Sequence, residues 1–193
     1  DHYNALVGLS ERIGMGRLLT SATFAQRSTP GVRHTLSHLN RLPRDTLKAG
    51  DCLDAGSVTL EVLHPPRGWE HGNENARSLV LLVRHGRHSI LLTGDLEQEG
   101  LAALLSQPPR RADVLMAPHH GSRRVNLAGL LRWSGAKLVV SSQATPPTDT
   151  PVQEGMVPRW ETWREGAVTV TSGTTLEAHA YRTGEHRVIL PAE

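Results

Sequence analysis

The apolar residues of the first third of the chain change from helical to strand-like spacing. Residues 6–13 and residues 32–42 have apolar side chains three or four positions apart, which predicts two helices, whereas residues 17–20 form a short apolar run typical of a strand. From residue 58 to residue 62, apolar and polar residues alternate, which predicts a half-buried strand. A pair of prolines ends this strand, and the polar residues 67–77 that follow predict a loop.

A β-hairpin is the clearest element that the pattern predicts. Residues 78–84 and residues 88–93 are two apolar runs, and the segment His85-Gly86-Arg87 joins them. A cluster of leucines beginning at Leu101 then predicts a helix, which ends at Pro108.

The remaining residues alternate between short strands and helical or irregular segments. Their pattern predicts strands at residues 113–117, 137–141, 167–171, 175–181 and 187–190, a helix at residues 127–133, and an irregular Pro- and Thr-rich loop at residues 144–158. Some neighbouring strands are hairpin-paired and others are separated by helices. We therefore predict a mixed sheet system with helices on its outer faces, which is an α+β sandwich.

Composition adds little to what the sequence pattern predicts about the fold and the partners. A length of 193 residues with 38% hydrophobic residues is enough for one domain with a sizeable core and excludes a disordered tail. The net charge of +2 neither requires nor excludes a nucleic-acid partner, because local patches matter more than the total. Cys52 is the single cysteine, which excludes an intrachain disulfide. No apolar run approaches the roughly 20 residues that a membrane helix needs.

Three spots carry residues with metal-binding side chains, and two of them directly follow predicted strands. They are Asp1-His2, the segment Thr93-Gly94-Asp95, and the run Pro118-His119-His120-Gly121-Ser122. Carboxylate and imidazole are ligands that zinc, manganese and iron share, and strand ends hold such groups rigidly. Each spot also has a simpler interpretation, since an aspartate before a helix often caps it and a His-His loop can hydrogen-bond to itself. The order and spacing of all three favour a site.

At this point the chain resembles a known family over residues 1 to about 140. Residues 1–2 resemble the end of the His-x-His-x-Asp-His motif of metallo-β-lactamase-fold hydrolases, and residues 91–95 resemble their strand-end Gly-Asp. Residues 112–122 are similar to the Ala-Asp-Val-Leu-x-x-Pro-His-His-Gly-Ser run of ComEC-type DNA-uptake channel proteins. Residues 60–66 and 73–81 resemble that family's Leu-His-Pro and Asn-Asp-Asn-Ser-Leu-Val segments.

The resemblance implies a metallo-β-lactamase αββα four-layer sandwich that is truncated at its N-terminus. Residues 1–193 would be one partial domain, which lacks its first strands and the start of its first metal motif. Asp1 and His2 would bind the second of two divalent metal ions, zinc or manganese, and Asp95 would bridge the pair. His119 or His120 would be a terminal ligand, and the other imidazole would hold substrate or move a proton. Asp95, His119 and His120 are thus the expected catalytic residues.

The same resemblance implies a function and partners. Asn75 and Ser122 would donate hydrogen bonds to the metal ligands or to a substrate phosphate, and the reaction would be metal-dependent hydrolysis of single- or double-stranded DNA during DNA uptake. The expected partners are DNA, a membrane channel portion of the same polypeptide, and the DNA-uptake machinery. The parent protein would be a multi-pass membrane protein, and this domain would be soluble and extracytoplasmic.

Two departures from the family pattern keep two alternatives open. Asn4 and Ala5 stand where two glycines usually follow the Asp-His pair, and residues 142–150 lack the histidine and tyrosine of the family's Asn-x-Tyr-Gly-His-Pro-like segment. The first alternative is a soluble hydrolase of the same fold that acts on another ester, amide or phosphate. The second, which the altered late segment motivates, is a non-catalytic DNA-binding module with a decayed metal site.

Overall fold

The computed structural model describes residue 3 and residues 5–122, 124–145 and 157–191. The chain divides into two compact units, residues 1–48 and residues 49–193. Asp1 and His2 lie outside the described residues, as does most of the loop predicted at residues 144–158.

The first unit combines short helices with a small parallel sheet. Its elements are α1 (Leu6–Ser10), β1 (Leu18–Ser21), α2 (Ala22–Gln26), α3 (Pro30–His38) and β2 (Arg44–Leu47). Strands β1 and β2 pair in parallel. The sequence pattern did not predict α2 or β2, and it extended α3 to residue 42. The reason for the overextension is that Leu39 is buried just beyond the helix, in a turn that Leu42 closes by donating its N–H to the Leu39 carbonyl.

The second unit is built on a large mixed sheet. Its strands, in the order in which they lie in the sheet, are β3 (Cys52–Ala55), β4 (Val58–His64), β5 (Val80–His85), β6 (His88–Leu92), β7 (Val114–Met116), β8 (Leu138–Ser141) and β9 (Arg159–Glu161). Strands β3 to β6 are antiparallel neighbours, and β6 to β9 are parallel neighbours. The predicted hairpin is therefore confirmed as β5–β6, with Gly86 and Arg87 at its tip.

Helices and a second sheet complete this unit. They are a 3₁₀ turn (Asn75–Arg77), α4 (Gln98–Leu105), a second 3₁₀ turn (Pro118–Gly121), α5 (Leu127–Ser134), α6 (Thr162–Glu165) and the strands β10 (Val168–Ser172), β11 (Leu176–Ala180) and β12 (His186–Ile189). Strands β10 to β12 form an antiparallel sheet. The strands and helices that the pattern predicted in this part of the chain are confirmed within a few residues.

Alternation along the central strands places a hydrophobic core on each face of the large sheet. On β7, Leu115 joins the cluster that contains Leu104 of α4 and Leu130 of α5. Its neighbour Val114 points to the opposite face and joins the cluster that contains Leu176 of the second sheet. A helix layer, the large sheet and the small sheet are thus three successive layers, and the predicted α+β sandwich class is confirmed.

Within the described part of the chain, no helix is both long enough and apolar enough to span a membrane.

Candidate metal and active site

The parallel strands β6, β7 and β8 bring three chemically distinctive segments to the same side of the large sheet, where the carboxyl ends of these strands lie. The strands are adjacent and point in the same direction, so their carboxyl ends meet on that side. Asp95 follows β6, the pair His119-His120 follows β7, and Ser142 follows β8.

Two hydrogen bonds join the segment that follows β6 to the end of β7 and the segment that follows it. The Thr93 hydroxyl donates to the Met116 carbonyl at 2.8 Å, and the backbone N–H of His119 donates to the Gly94 carbonyl at 3.0 Å. Because Gly94 directly precedes Asp95, the second bond fixes the segment that carries Asp95 relative to the segment that carries the histidines.

The imidazole of His120 faces the carboxylate of Asp95. His120 Nε2 lies 3.6 Å from Asp95 Oδ1, and His120 Nδ1 lies 3.0 Å from the Ser142 carbonyl oxygen. A carbonyl oxygen only accepts hydrogen bonds, so Nδ1 carries the proton and donates to it. In the neutral ring, the lone pair is then on Nε2, which is the nitrogen turned towards Asp95.

The imidazole of His119 is held by a different partner, the buried carboxylate of Glu97. His119 Nδ1 lies 2.8 Å from Glu97 Oε2, and the side-chain amides of Asn73 and Asn75 donate to Glu97 Oε1 at 2.9 and 3.3 Å. The hydrogen bond from Asn73, followed by those from His119 and Asn75, keeps the pKa of Glu97 below its usual value although burial acts in the opposite direction.

A left-handed turn sets the directions of the two imidazoles. His119, His120 and Gly121 have φ values of 47°, 56° and 78°. The His120 carbonyl accepts hydrogen bonds from the Ser141 hydroxyl at 2.9 Å and from the Gln143 amide at 2.6 Å. Non-glycine residues rarely adopt this conformation, and functional sites are where it is most often retained.

The structure therefore brings together Asp95, His119 and His120, the three residues that the sequence predicted as catalytic and as metal ligands. The rings of His119 and His120 are neighbours, with centroids 6.3 Å apart. Helix α4 begins at Gln98 with Glu97 at its N-cap, so Asp95 precedes the capping position that was its simpler interpretation. The catalytic and metal-binding roles stay predictions.

The other predicted site residues differ in their placement. Asn75 lies beside the site, and its amide donates a hydrogen bond to Glu97. The Ser122 hydroxyl accepts a hydrogen bond from the backbone N–H of Arg124 at 3.4 Å. Asp1 and His2 lie outside the described residues. Their predicted roles as substrate or metal contacts stay predictions.

Two parts of this arrangement were missed in the sequence. Neither Glu97 nor Asn73 was given a role in the site. The one available signal was the Asn-x-Asn spacing in the loop. The late segment at residues 142–150 lacks the histidine and tyrosine of the family pattern. Its Ser142 carbonyl and Gln143 amide nevertheless contact His120.

The donor types fit a divalent metal, whereas the number of ligands is incomplete in the described residues. A carboxylate oxygen of Asp95 and an imidazole nitrogen of His120 converge, and zinc and manganese accept both donors. Among the residues that the structure describes, no three His, Cys, Asp or Glu side chains form a group that would hold a metal ion.

Comparisons with known proteins agree with the family resemblance. No family model matches the chain. ComE operon protein 3 of Bacillus subtilis (strain 168) is 39% identical over 80 residues, which cover 41% of this chain and 10% of the relative. The predicted resemblance to the ComEC family is confirmed over that segment. The uncharacterized protein YcaI of Escherichia coli (strain K12) is 33% identical over 81 residues, which cover 41% of this chain and 11% of the relative.

Solved structures of metallo-β-lactamase-fold proteins also resemble the chain. The metallo-β-lactamase fold protein YhfI from Bacillus subtilis matches with a TM-score of 0.38 and 12% identity over 72% of this chain and 57% of that protein. The segments that match ComE operon protein 3 and YcaI each span only about a tenth of the relative's length.

Proposed function

We propose that this chain is a metal-dependent hydrolase domain whose site is built on Asp95, His119 and His120. The observation that carries the proposal is the approach of His120 Nε2 to Asp95 Oδ1, at 3.6 Å, with the opposite ring nitrogen held by the Ser142 carbonyl. Metal-binding histidines usually donate their second ring N–H to a carbonyl or carboxylate in this way.

Each residue of the site has a distinct task in this proposal. The carboxylate of Asp95 and Nε2 of His120 would hold a divalent ion, zinc or manganese, and the predicted ligands Asp1 and His2 would add to the set. A pair of such ions, when bound, supplies Lewis-acid polarisation of an ester and an acidified water. His119 would direct its Nε2 either to the ion or to the substrate, because its Nδ1 is occupied by Glu97.

We further propose that the substrate is DNA, hydrolysed during its uptake by a protein whose other part is a membrane channel. The match to ComE operon protein 3 supports this. Charge supports it as well: residues 1–48 contain seven Lys and Arg against three Asp and Glu, whereas residues 49–193 contain fourteen against sixteen. Helix α3 exposes Arg33, His34 and His38, which would contact phosphates. In this proposal, the domain is extracytoplasmic.

Metal-dependent cleavage by matched aspartate variants tests the proposal. End-labelled single-stranded and duplex DNA are incubated with the protein in Mn²⁺, in Zn²⁺ and in chelator, and bound metal is measured in parallel. Asp95→Asn keeps the shape of the side chain but removes its charge. The control is Asp54→Asn, which changes an exposed aspartate on β3. We expect cleavage only with metal, a loss of at least about 100-fold in Asp95→Asn, and no change in the control.

Other results would redirect the assignment. Bound metal without DNA cleavage would favour a hydrolase of another ester, amide or phosphate. DNA binding with neither cleavage nor bound metal would favour the non-catalytic module.

A further inference from the structure

We propose that Glu97 is a positioning residue that fixes His119 in the tautomer with hydrogen on Nδ1, so that Nε2 is the nitrogen free to act in the site. Asn73 and Asn75 complete this device, because they hold the carboxylate of Glu97 in place. The consequence for metal or substrate binding rests on the proposed function, whereas the tautomer itself does not.

The hydrogen bonds of Glu97 allow only one arrangement of protons. The residue is almost fully buried, with 1% of its surface exposed. The amides of Asn73 and Asn75 both donate to Oε1, at 2.9 and 3.3 Å. His119 Nδ1 contacts the other oxygen, Oε2, at 2.8 Å. An ionised carboxylate only accepts hydrogen bonds, so the proton on this contact belongs to Nδ1 of His119.

Contacts with the surrounding backbone hold the Glu97 carboxylate and its hydrogen-bond donors in fixed positions relative to each other. The Asn73 side-chain oxygen accepts a hydrogen bond from the Ala76 N–H at 2.9 Å, which directs its amide nitrogen to Glu97. Gly100 of α4 packs so closely on the Ala76 carbonyl that a β-carbon would collide with it. Gln98, directly after Glu97, has a φ of 50°. Such strain is retained where the surrounding contacts determine the conformation.

This device assigns one hydrogen bond of Asn75 to Glu97. One amide hydrogen of Asn75 is directed to Glu97, so Asn75 acts on the site through Glu97 and His119. The two histidines are then oriented by two independent partners, a carboxylate for His119 and the Ser142 carbonyl for His120. A carboxylate partner makes a histidine ring more basic at its second nitrogen than a carbonyl does.

Nuclear magnetic resonance of the histidine side chains tests the inference in the full chain. Long-range ¹H–¹⁵N correlation spectra distinguish the two neutral tautomers, and a His119→Gln variant assigns the His119 signals. In Glu97→Gln, the two asparagine amides require an acceptor, so the glutamine oxygen stays on their side and its NH₂ faces His119. Nδ1 must then accept, and we expect the proton to move to Nε2. The control is Glu99→Gln, an exposed glutamate of the same helix.

Three results decide the matter. A proton on Nδ1 in the wild type and in Glu99→Gln, together with a proton on Nε2 in Glu97→Gln, supports the inference. A proton on Nε2 in the wild type overturns it, whether or not Glu97→Gln folds. Glu97→Asp keeps an acceptor-only group on a side chain that is one methylene shorter, and a proton that stays on Nδ1 in that variant would further support the inference.

Zinc titration separates this inference from the proposed function. We expect zinc affinity to fall about 10- to 100-fold in Glu97→Gln and to be unchanged in Glu99→Gln. If the tautomer moves as expected but the wild type binds neither zinc nor manganese, the positioning role of Glu97 stands and the metal-dependent hydrolase is rejected.

Discussion

At the scale of single residues, the turn at His119–Gly121 has a strained backbone conformation, and this conformation sets the directions of the two imidazoles. Three consecutive residues have positive φ, and each of the two histidines costs about 1–3 kcal/mol in this conformation. The hydrogen bonds that Ser141 and Gln143 donate to the His120 carbonyl offset part of that cost. Since a regular backbone would turn the rings elsewhere, the strain is tied to the placement of the two Nε2 atoms.

Gly121 is the residue at which this turn tolerates least change. Its φ is 78°, and a β-carbon would lie 2.7 Å from the Ser141 hydroxyl and would also collide with the Arg159 guanidinium. We expect Gly121→Ala to lower the free energy of unfolding by about 2–3 kcal/mol in urea titrations, from the unfavourable φ and the collision together.

The matched control for this change is Gly173→Ala. A β-carbon there meets no atom within 4 Å, and its φ is not in the left-handed region. We expect the control to stay within about 0.5 kcal/mol of the wild type. Equal effects of the two substitutions would show that the turn is not the strained element described here.

The predictability of the site also differs from residue to residue. Asp95, His119 and His120 were identified in the sequence because each directly follows a strand with a clear apolar pattern. Glu97 was not, because its role depends on burial and on partners 22 and 24 positions away in the chain. A glutamate at the start of a helix has the same sequence context whether it caps the helix or orients a histidine.

At the scale of elements, the parallel strands β6, β7 and β8 do most to assemble the site. Their apolar runs made them predictable, and their common direction gathers the segments that follow them. Strands β3 and β9 were missed since they are short, and β3 is largely exposed and therefore carries no run of buried side chains. The fold class was predictable from the strands and helices that have clear apolar patterns. The two strands at the edges of the sheet were not predictable.

The contact between α4 and the 3₁₀ turn at Asn75–Arg77 is the element packing on which the Glu97 device depends. We expect Gly100→Ala to push the two apart, because the new β-carbon collides with the Ala76 carbonyl. The expected loss is about 1–3 kcal/mol of unfolding free energy, the usual cost of overpacking. Amide hydrogen exchange in α4 should accelerate as well.

Ala102→Ser is the control for that element, since it changes an exposed position of the same helix. It should leave both the unfolding free energy and the exchange rates of α4 nearly unchanged. Slow exchange in Gly100→Ala, equal to that of the control, would contradict the close packing of α4 on the turn.

At the scale of the whole molecule, charge is distributed unevenly between the two units. Residues 1–48 have a net charge of +4, from seven basic and three acidic side chains, and residues 49–193 have a net charge of −2, from fourteen and sixteen. The overall value of +2 therefore conceals a basic unit, which is why composition alone indicated nothing about a nucleic-acid partner. A polyanion would bind the first unit in preference to the second.

The salt dependence of DNA binding tests this distribution of charge. Arg33 and Arg41 are exposed in and just after α3, and each phosphate contact on single-stranded DNA contributes about 0.7 to the slope of log affinity against log salt concentration. The double variant Arg33→Gln/Arg41→Gln should therefore lower that slope by about 1.4 in fluorescence-anisotropy titrations. Arg87→Gln, an exposed residue at the tip of the β5–β6 hairpin, should leave the slope unchanged. If both variants lower the slope equally, DNA binding is not confined to the basic unit. If neither does, α3 is not the surface that the phosphates contact.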